Sequence, residues 1–350
     1  MTGPRAFEVG APGRVNVIGG HVDFHEGIVV CAAIDRRVRA NGTVRSDGRV
    51  IVASDQFEGT VDVAADGGSD PSSVEPSWGR LVAAVLAELA ERGRPPVGFG
   101  ATVSSDLTIG GGLSSSAAFE VMIGRAAMAA ADWAIDDLEL ARAAQAAEHR
   151  ATGVPCGIQD QVASVLGGMF ALDCRDLAIA PVSMPEECAL LVIDSGVART
   201  LEGSPWAARR SDSFAAARAC GLDVLRDATA AQVADHPQGR HVVGEIDRVR
   251  RFVVAMGEGD VDAAGLLMVE SHRSSAASYG SSTRELDVLV DELMRAGAYG
   301  ARLTGGGFGG CVVALVPTHE RTRIGAEVAT SYQRRVGIAA EVIGVSVATS

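Results

Sequence analysis

The sequence predicts an α+β protein of two domains, and three observations carry that reading. Its 350 residues are enough for two hydrophobic cores. Apolar residues alternate with polar ones in some stretches and recur at helical spacing in others, so strands and helices are both present along the whole chain. A glycine run at 110–112 sits between a strand-like segment, 100–107, and a helix-like one running through Val121, Met122, Ile123 and Ala126.

In chain order, residues 15–18 read as a short strand entering a polar turn, and residues 28–34 as a second strand. Arg14, Asn16, His21 and Asp23 crowd between these apolar segments, where polar side chains either line a site or tip a hairpin. Residues 38–44 and 49–53 alternate as strands. Residues 66–76, rich in Gly, Ser, Asp and Pro, read as a surface loop. Trp78 opens an amphipathic helix through Leu81, Val82, Val85, Leu86 and Leu89 that stops near Gly93 and Pro95. Trp78 is either core or a flat face for a nucleobase.

Then comes Gly110-Gly111-Gly112-Leu113-Ser114-Ser115-Ser116. Glycines let a backbone approach a ligand closely, and the first turn of the following helix has free N–H groups at a positive dipole end. That is an anion site, with phosphate the obvious occupant. The serines are suited to cap the helix, and one hydroxyl is placed to reach a metal. The chain contains no lysine, so all 31 basic residues are arginines. A Walker A loop and a protein-kinase phosphate clamp both need a lysine, and both are excluded. The dinucleotide fingerprint is excluded too, because a spaced third glycine is missing.

A helix over 138–152 carries Glu148 and His149, and a turn at 153–159 leads to Asp160 in the first turn of another helix. The helix dipole favours an aspartate there, so capping is the plain alternative. Strands follow at 168–172 and 189–193. The domain boundary falls between Asp176 and Glu187, giving domains 1–180 and 181–350. A helix over 203–222 has Trp206, Arg209 and Arg210 in its first turns. After a polar stretch at 229–239, helices are expected at 241–256, 260–277 and 283–296. A second glycine run, 305–310, precedes the continuously apolar strand 311–316. A helix at 320–335 and a strand at 340–348 finish the chain.

The totals exclude several functions. A net charge of −13 argues against a nucleic-acid surface. No apolar run approaches the ~20 residues of a membrane span. The six cysteines include no CxxC pair, so reduced thiols are expected and a zinc site is not. With no basic-then-apolar leader, the expected location is the cytoplasm, as a monomer or weak homo-oligomer.

Three motifs stand in fixed order over about three hundred residues, and together they resemble the GHMP kinase superfamily, the galactokinases in particular. They are Gly13-Arg14-Val15-Asn16-Val17-Ile18-Gly19 with His21, Asp23 and Phe24; Gly110 to Ala117; and Leu303 to Cys311. Pro155-Cys156-Gly157-Ile158-Gln159-Asp160-Gln161 is similar to that family's catalytic-aspartate segment. The resemblance implies an N-terminal ribosomal-protein-S5-like domain and a C-terminal ferredoxin-like domain with the active site in the cleft. It implies ATP and Mg2+ as cofactors and a sugar or sugar phosphate as substrate. Asp160 would act as base or orienter for the anomeric hydroxyl, and Arg14 would stabilise charge on the transferring phosphoryl group. Residues Gly110 to Ser116 would cradle the nucleotide phosphates, and Trp78 would lie against adenine. Ser116 and Glu148 would hold Mg2+. Gly20, His21, Asp23, Gly157, Trp206 and Gly306 would line the sugar side. Some family members that lack the Ser-Ala pair after the glycine loop are ligand sensors; Ser116-Ala117 is intact, which implies an active enzyme.

The chain departs from that family where the sugar is read. Galactokinases have a glutamate at the position of Gly20, which holds the 6-hydroxyl of galactose, and a tyrosine at the position of Trp206. Gly20 removes an acceptor, its charge and its volume, which is expected to leave room at C6. The implied substrate is therefore a sugar extended beyond C6, such as a heptose or octose phosphate of an antibiotic pathway. The alternative is galactose itself.

Overall fold

The computed structural model describes residues 5–108, 110–198 and 205–348. Its first sheet is built on two long antiparallel strands, β1 (Ala6–Ile18) and β2 (Ile28–Arg45). The sequence suggested two short strands at 28–34 and 38–44. They are one strand, because β2 is long enough to change partners along its length. Its first residues pair with β6 (Met169–Asp173) and its later ones with β5 (Gly98–Ser105). Similarly β1 is longer than expected. Pro12 and Gly13 interrupt its alternation, and the pairing absorbs them as an irregularity between Pro12 and Arg14. Strand β3 (Arg49–Ser54) joins parallel to β5, β4 (Thr60–Ala64) edges β3, and β7 (Ile179–Pro181) edges β6. The helices α1 (Gly79–Glu91), α2 (Ser115–Ala131), α3 (Asp137–Thr152) and α4 (Gln159–Leu166) pack together, with α2 and α4 lying on β1 and β2.

The second sheet runs β11 (Glu341–Ile343), β8 (Cys188–Asp194), β10 (Cys311–Pro317), β9 (Gly300–Leu303), antiparallel throughout. The unbroken apolar run of β10 has a simple cause: the strand is buried on both faces. Val312, Ala314 and Val316 pack with α8 (Arg284–Ala296) and α9 (Arg321–Val336), while Cys311, Val313 and Leu315 join the main core. The helices α5 (Pro205–Ala219), α6 (Pro237–Glu258) and α7 (Val261–Ser274) complete this half, and α6 and α7 also reach β1. The first residues of the helix expected at 203–222 lie outside the described residues, as does Ile109 ahead of the glycine run.

The chain does not end in one strand over 340–348. β11 stops at Ile343, before Gly344, and residues 346–348 return to the first sheet. There Asp35 donates to the Ser346 carbonyl and Gly168 to that of Ala348. Among the described residues no helix is long and apolar enough to cross a membrane, and the six cysteines are free thiols.

Candidate active site

The three motifs meet around one ion pair. Just past the β1 irregularity, Arg14 is buried, 4% exposed, and forks onto Asp160 in the first turn of α4. Its Nε donates to Oδ1 at 2.6 Å and its Nη2 to Oδ2 at 2.5 Å. The third nitrogen, Nη1, donates to the carbonyl of Gly112 at 2.8 Å, and the Arg14 amide donates to that of Leu113. Burial pulls the Arg14 pKa down, but the charge and hydrogen bond of Asp160 outweigh it and raise it. The third motif closes on the same strand: the Asn16 amide donates to Thr304 Oγ1 at 2.9 Å, and Arg302 Nη1 donates to Asn16 Oδ1 at 2.6 Å. Asn16 Nδ2 in turn donates to Gln159 Oε1 at 2.8 Å, tying β1 to the start of α4.

The glycine loop opens α2 as expected, but its serines do not cap it. Ser114 stands at the N-cap with φ +59° and makes no capping bond. That left-handed backbone turns Oγ toward Asp160, where it donates to Oδ2 at 2.6 Å. Asp160 likewise serves its arginine rather than the helix end. Gly110 is exposed at the loop tip and Gly111 is buried. The Leu113 side chain is buried in the core, so Leu113 offers the site only its backbone. The amides of the first turn of α2, from Ser115 and Ser116 on, have no carbonyl inside the helix to bond, which is what an anion needs. Trp78 sits half-buried before α1, stacked on Phe57 at 6.0 Å and edge-on to Phe119 of α2.

Ser116 faces Glu148 of α3, its Oγ donating to Oε1 at 3.3 Å. An alcohol and a carboxylate suit a hard cation that takes its other oxygens from phosphate and water. Among the described residues no group of three or more His, Cys, Asp or Glu forms a protein-only metal cage. Burial pushes Glu148 above the usual carboxylate range, against hydrogen bonds from Cys156, Gln161 and Ser116. Burial pushes the neighbouring Glu120 well above it too.

The sugar-side candidates come from several elements, and two of them touch. Asp23 stands so close to Gly157 that a β-carbon on Gly157 would lie 1.7 Å from Asp23 Oδ2. Any side chain there would have to displace Asp23. Burial first, and the Asp160 charge second, push the Asp23 pKa up to about 6. His21 stacks on Tyr279 with ring centres 4.2 Å apart, and Trp206 meets Phe24 edge-on at 6.2 Å. Gly306 lies at the tip of the β9–β10 loop, half-exposed.

At Gly20 the expected room is absent. A β-carbon there would lie 2.4 Å from Nη2 of Arg302, so the guanidinium fills the volume that a side chain would take. Arg302 is fully buried on β9, and its Nη2 makes no hydrogen bond; the nearest carboxylate oxygen, Glu245 Oε1, is 3.9 Å away. The Gly19–Gly20 turn itself is pinned from α6. Glu245 Oε1 accepts both amides, at 3.0 and 3.2 Å, and His241 Nε2 donates to the Gly20 carbonyl at 3.0 Å. Arg302 and Glu245 are thus the charged groups beside Gly20. Sequence reading gave no role to Arg302, Glu245, Glu120 or Gln161. Buried charges interrupting apolar helical or strand stretches were the one signal available.

Comparisons with known proteins point to one superfamily. The model of the GHMP kinase N-terminal domain matches residues 80–168, that of the GHMP kinase C-terminal domain residues 252–334, and the galactokinase galactose-binding signature residues 2–44. The galactokinase of Mycobacterium tuberculosis is 36% identical over 323 residues, 88% of either chain. That of Chloroflexus aggregans is 37% identical over 345 residues, 93% of this chain and 88% of its own. The crystal structure of Lactococcus lactis galactokinase with galactose superimposes with a TM-score of 0.93 at 25% identity, over 99% of this chain and 94% of that one. The Methanococcus jannaschii mevalonate kinase shares the fold at a TM-score of 0.73 and 18% identity, over 99% of both chains. The chain belongs to the GHMP kinases, as a galactokinase-like, two-domain α+β sugar kinase that uses ATP with Mg2+.

Proposed function

We propose that this enzyme phosphorylates the anomeric hydroxyl of a sugar of galactose configuration. The observation that carries the reading is Asp160, held by Arg14 and Ser114 between the glycine loop and the Asp23–Gly157 contact. The anomeric oxygen attacks the γ-phosphorus of ATP, the bond to the bridging β–γ oxygen breaks, and ADP leaves. Asp160 orients the hydroxyl and takes its proton. Arg14 offsets charge on the transferring group from a fixed, buried position. The loop 110–116 and the first turn of α2 hold the phosphates, Trp78 flanks the adenine, and Ser116 with Glu148 holds Mg2+, which neutralises phosphate charge when bound. His21, Asp23, Gly157, Trp206 and the 305–310 loop bound the sugar. We take 1–180 and 181–350 as the two domains, and the enzyme as cytoplasmic and monomeric or weakly associated.

A second reading has one observation in its favour. The unbonded Nη2 of Arg302 beside Gly20 makes the C6 end cationic, which suits a heptose or octose phosphate better than a neutral hexose. The absence of room at Gly20 counts against it. The test is ADP release with galactose, other hexoses, galactose 6-phosphate and C6-extended sugar phosphates. The expected result is the highest kcat/KM on galactose, with Gly20→Glu, whose side chain would have to displace the buried Arg302 guanidinium, lowering it. A preference for extended phosphates, lost in Gly20→Glu, would install the second reading instead. Sugar binding without turnover of any of them would mark the chain as a sensor.

The pH dependence of KM checks the role of Asp23. Its ionised form accepts hydrogen bonds from sugar hydroxyls, and with its pKa at about 6 that form is lost as pH falls. KM for the sugar is expected to rise by about tenfold between pH 7.5 and 5, and Asp23→Asn to give a flat profile at the high value. A flat profile in the parent enzyme would remove Asp23 from the sugar site.

A further inference from the structure

We infer that Gln161 is a positioning residue for Glu148, and that the buried Glu120, which no step of the transfer uses, sets the orientation of its amide. The inference rests on the reading of Ser116 and Glu148 as the Mg2+ ligands. Gln161 follows Asp160 in the first turn of α4 and is fully buried. Its Nε2 donates to Glu148 Oε2 at 2.8 Å and to Glu120 Oε2 at 3.1 Å. An amide nitrogen carries two N–H groups, and here each finds one carboxyl. The opposite orientation would set the amide oxygen against the Glu148 carboxylate, so the amide turns its N–H groups to Glu148 and Glu120 and leaves its own Oε1, like Oε1 of Glu120, without a partner.

The layout is compact. Glu120 lies four residues after Ser116, one turn along the same face of α2. The same helix thus supplies a metal-facing hydroxyl and the support one turn behind it, while α4 supplies Asp160 and its neighbour Gln161. Cys156 adds a second donor to Glu148 Oε2, from Sγ at 3.1 Å. Two donors therefore hold Oε2 on the protein side. Oε1 receives only the long 3.3 Å bond from Ser116, and it is the oxygen left to turn toward a cation. A carboxylate gripped at one oxygen cannot swing, which spares the ordering cost when metal binds.

Gln161→Met keeps the length of the side chain and removes both donors. The measurement is Mn2+ affinity of the full-length enzyme with saturating ADP, read by electron paramagnetic resonance of free Mn2+, alongside sugar affinity by calorimetry. Gln161→Met is expected to raise the Mn2+ Kd by about 10–100-fold and leave sugar affinity within about twofold. Glu120→Gln, which still offers an acceptor oxygen to Gln161, is expected to stay within about threefold for both ligands. An unchanged Mn2+ Kd in Gln161→Met overturns the inference, as does an equal loss of metal and sugar affinity. An unchanged Mn2+ Kd in Glu120→Met, which removes the acceptor that Gln161 faces, overturns the supporting role of Glu120. Glu148→Gln in the same titration separates the two levels: if it binds Mn2+ like the parent, the ligand reading fails first and the positioning role falls with it.

Discussion

Replacing Asp160 by asparagine is expected to lower kcat by about 10²–10⁴-fold while sugar and nucleotide affinities stay near those of the parent. Asparagine keeps the shape of the side chain and loses the charge and the basic oxygen. Arg14 now contacts both carboxylate oxygens, so the new amide nitrogen must face one arginine nitrogen and forfeit that arm of the pair. Arg14 stays anchored through the Gly112 carbonyl, and the hydroxyl of Ser114 is free to rotate and accept from the new amide. The local structure is therefore expected to survive while the chemistry does not. The readout is single-turnover ADP formation at saturating sugar, compared with equilibrium sugar binding. A kcat within tenfold of the parent would demote Asp160 from proton acceptor to a group that only sets the sugar in place.

The parts of the fold that were legible are those whose cause is local. The strand, glycine loop and helix at 98–131, the helix start ahead of Asp160, and β10 are all written in short-range pattern. What escaped depends on partners far along the chain. A reader of 28–45 sees two alternating segments and cannot see that β6 and β5 divide one continuous strand between them. Ser114 reads as a cap by position, yet its left-handed backbone sends the hydroxyl to Asp160. Gly20 reads as room, because a missing side chain is visible in sequence. The guanidinium that fills it comes from β9, on the second sheet. Of the residues carried over from the resemblance, Ser114 and the backbone of Gly112 and Leu113 bond to the Arg14–Asp160 pair. Gln161 closes the segment that carries Asp160, but nothing in that segment shows that it lies between Glu148 and Glu120.

Arg14→Met is expected to cost both activity and stability, and the two losses should come apart in a double variant. Removing the guanidinium leaves Asp160 with one hydrogen bond from Ser114 and strips the Gly112 carbonyl of its side-chain donor. Breaking a buried ion pair from one side is costly because the surviving charge stays behind. The Asp160 side chain is 28% exposed, so water softens the loss to about 2–4 kcal/mol. Activity should fall by at least the factor seen for Asp160→Asn, since both the orientation of Asp160 and the charge facing the phosphoryl group are gone. Arg14→Met combined with Asp160→Leu removes both charges, and two apolar side chains in one pocket need no pairing. The double variant is expected to recover most of the denaturation midpoint and none of the turnover. Should the single variant keep its midpoint, the ion pair is not a structural element of the cleft. Should the double variant stay as unstable as the single one, the cost lies in the shape of the arginine and its bond to Gly112, and not in a stranded charge.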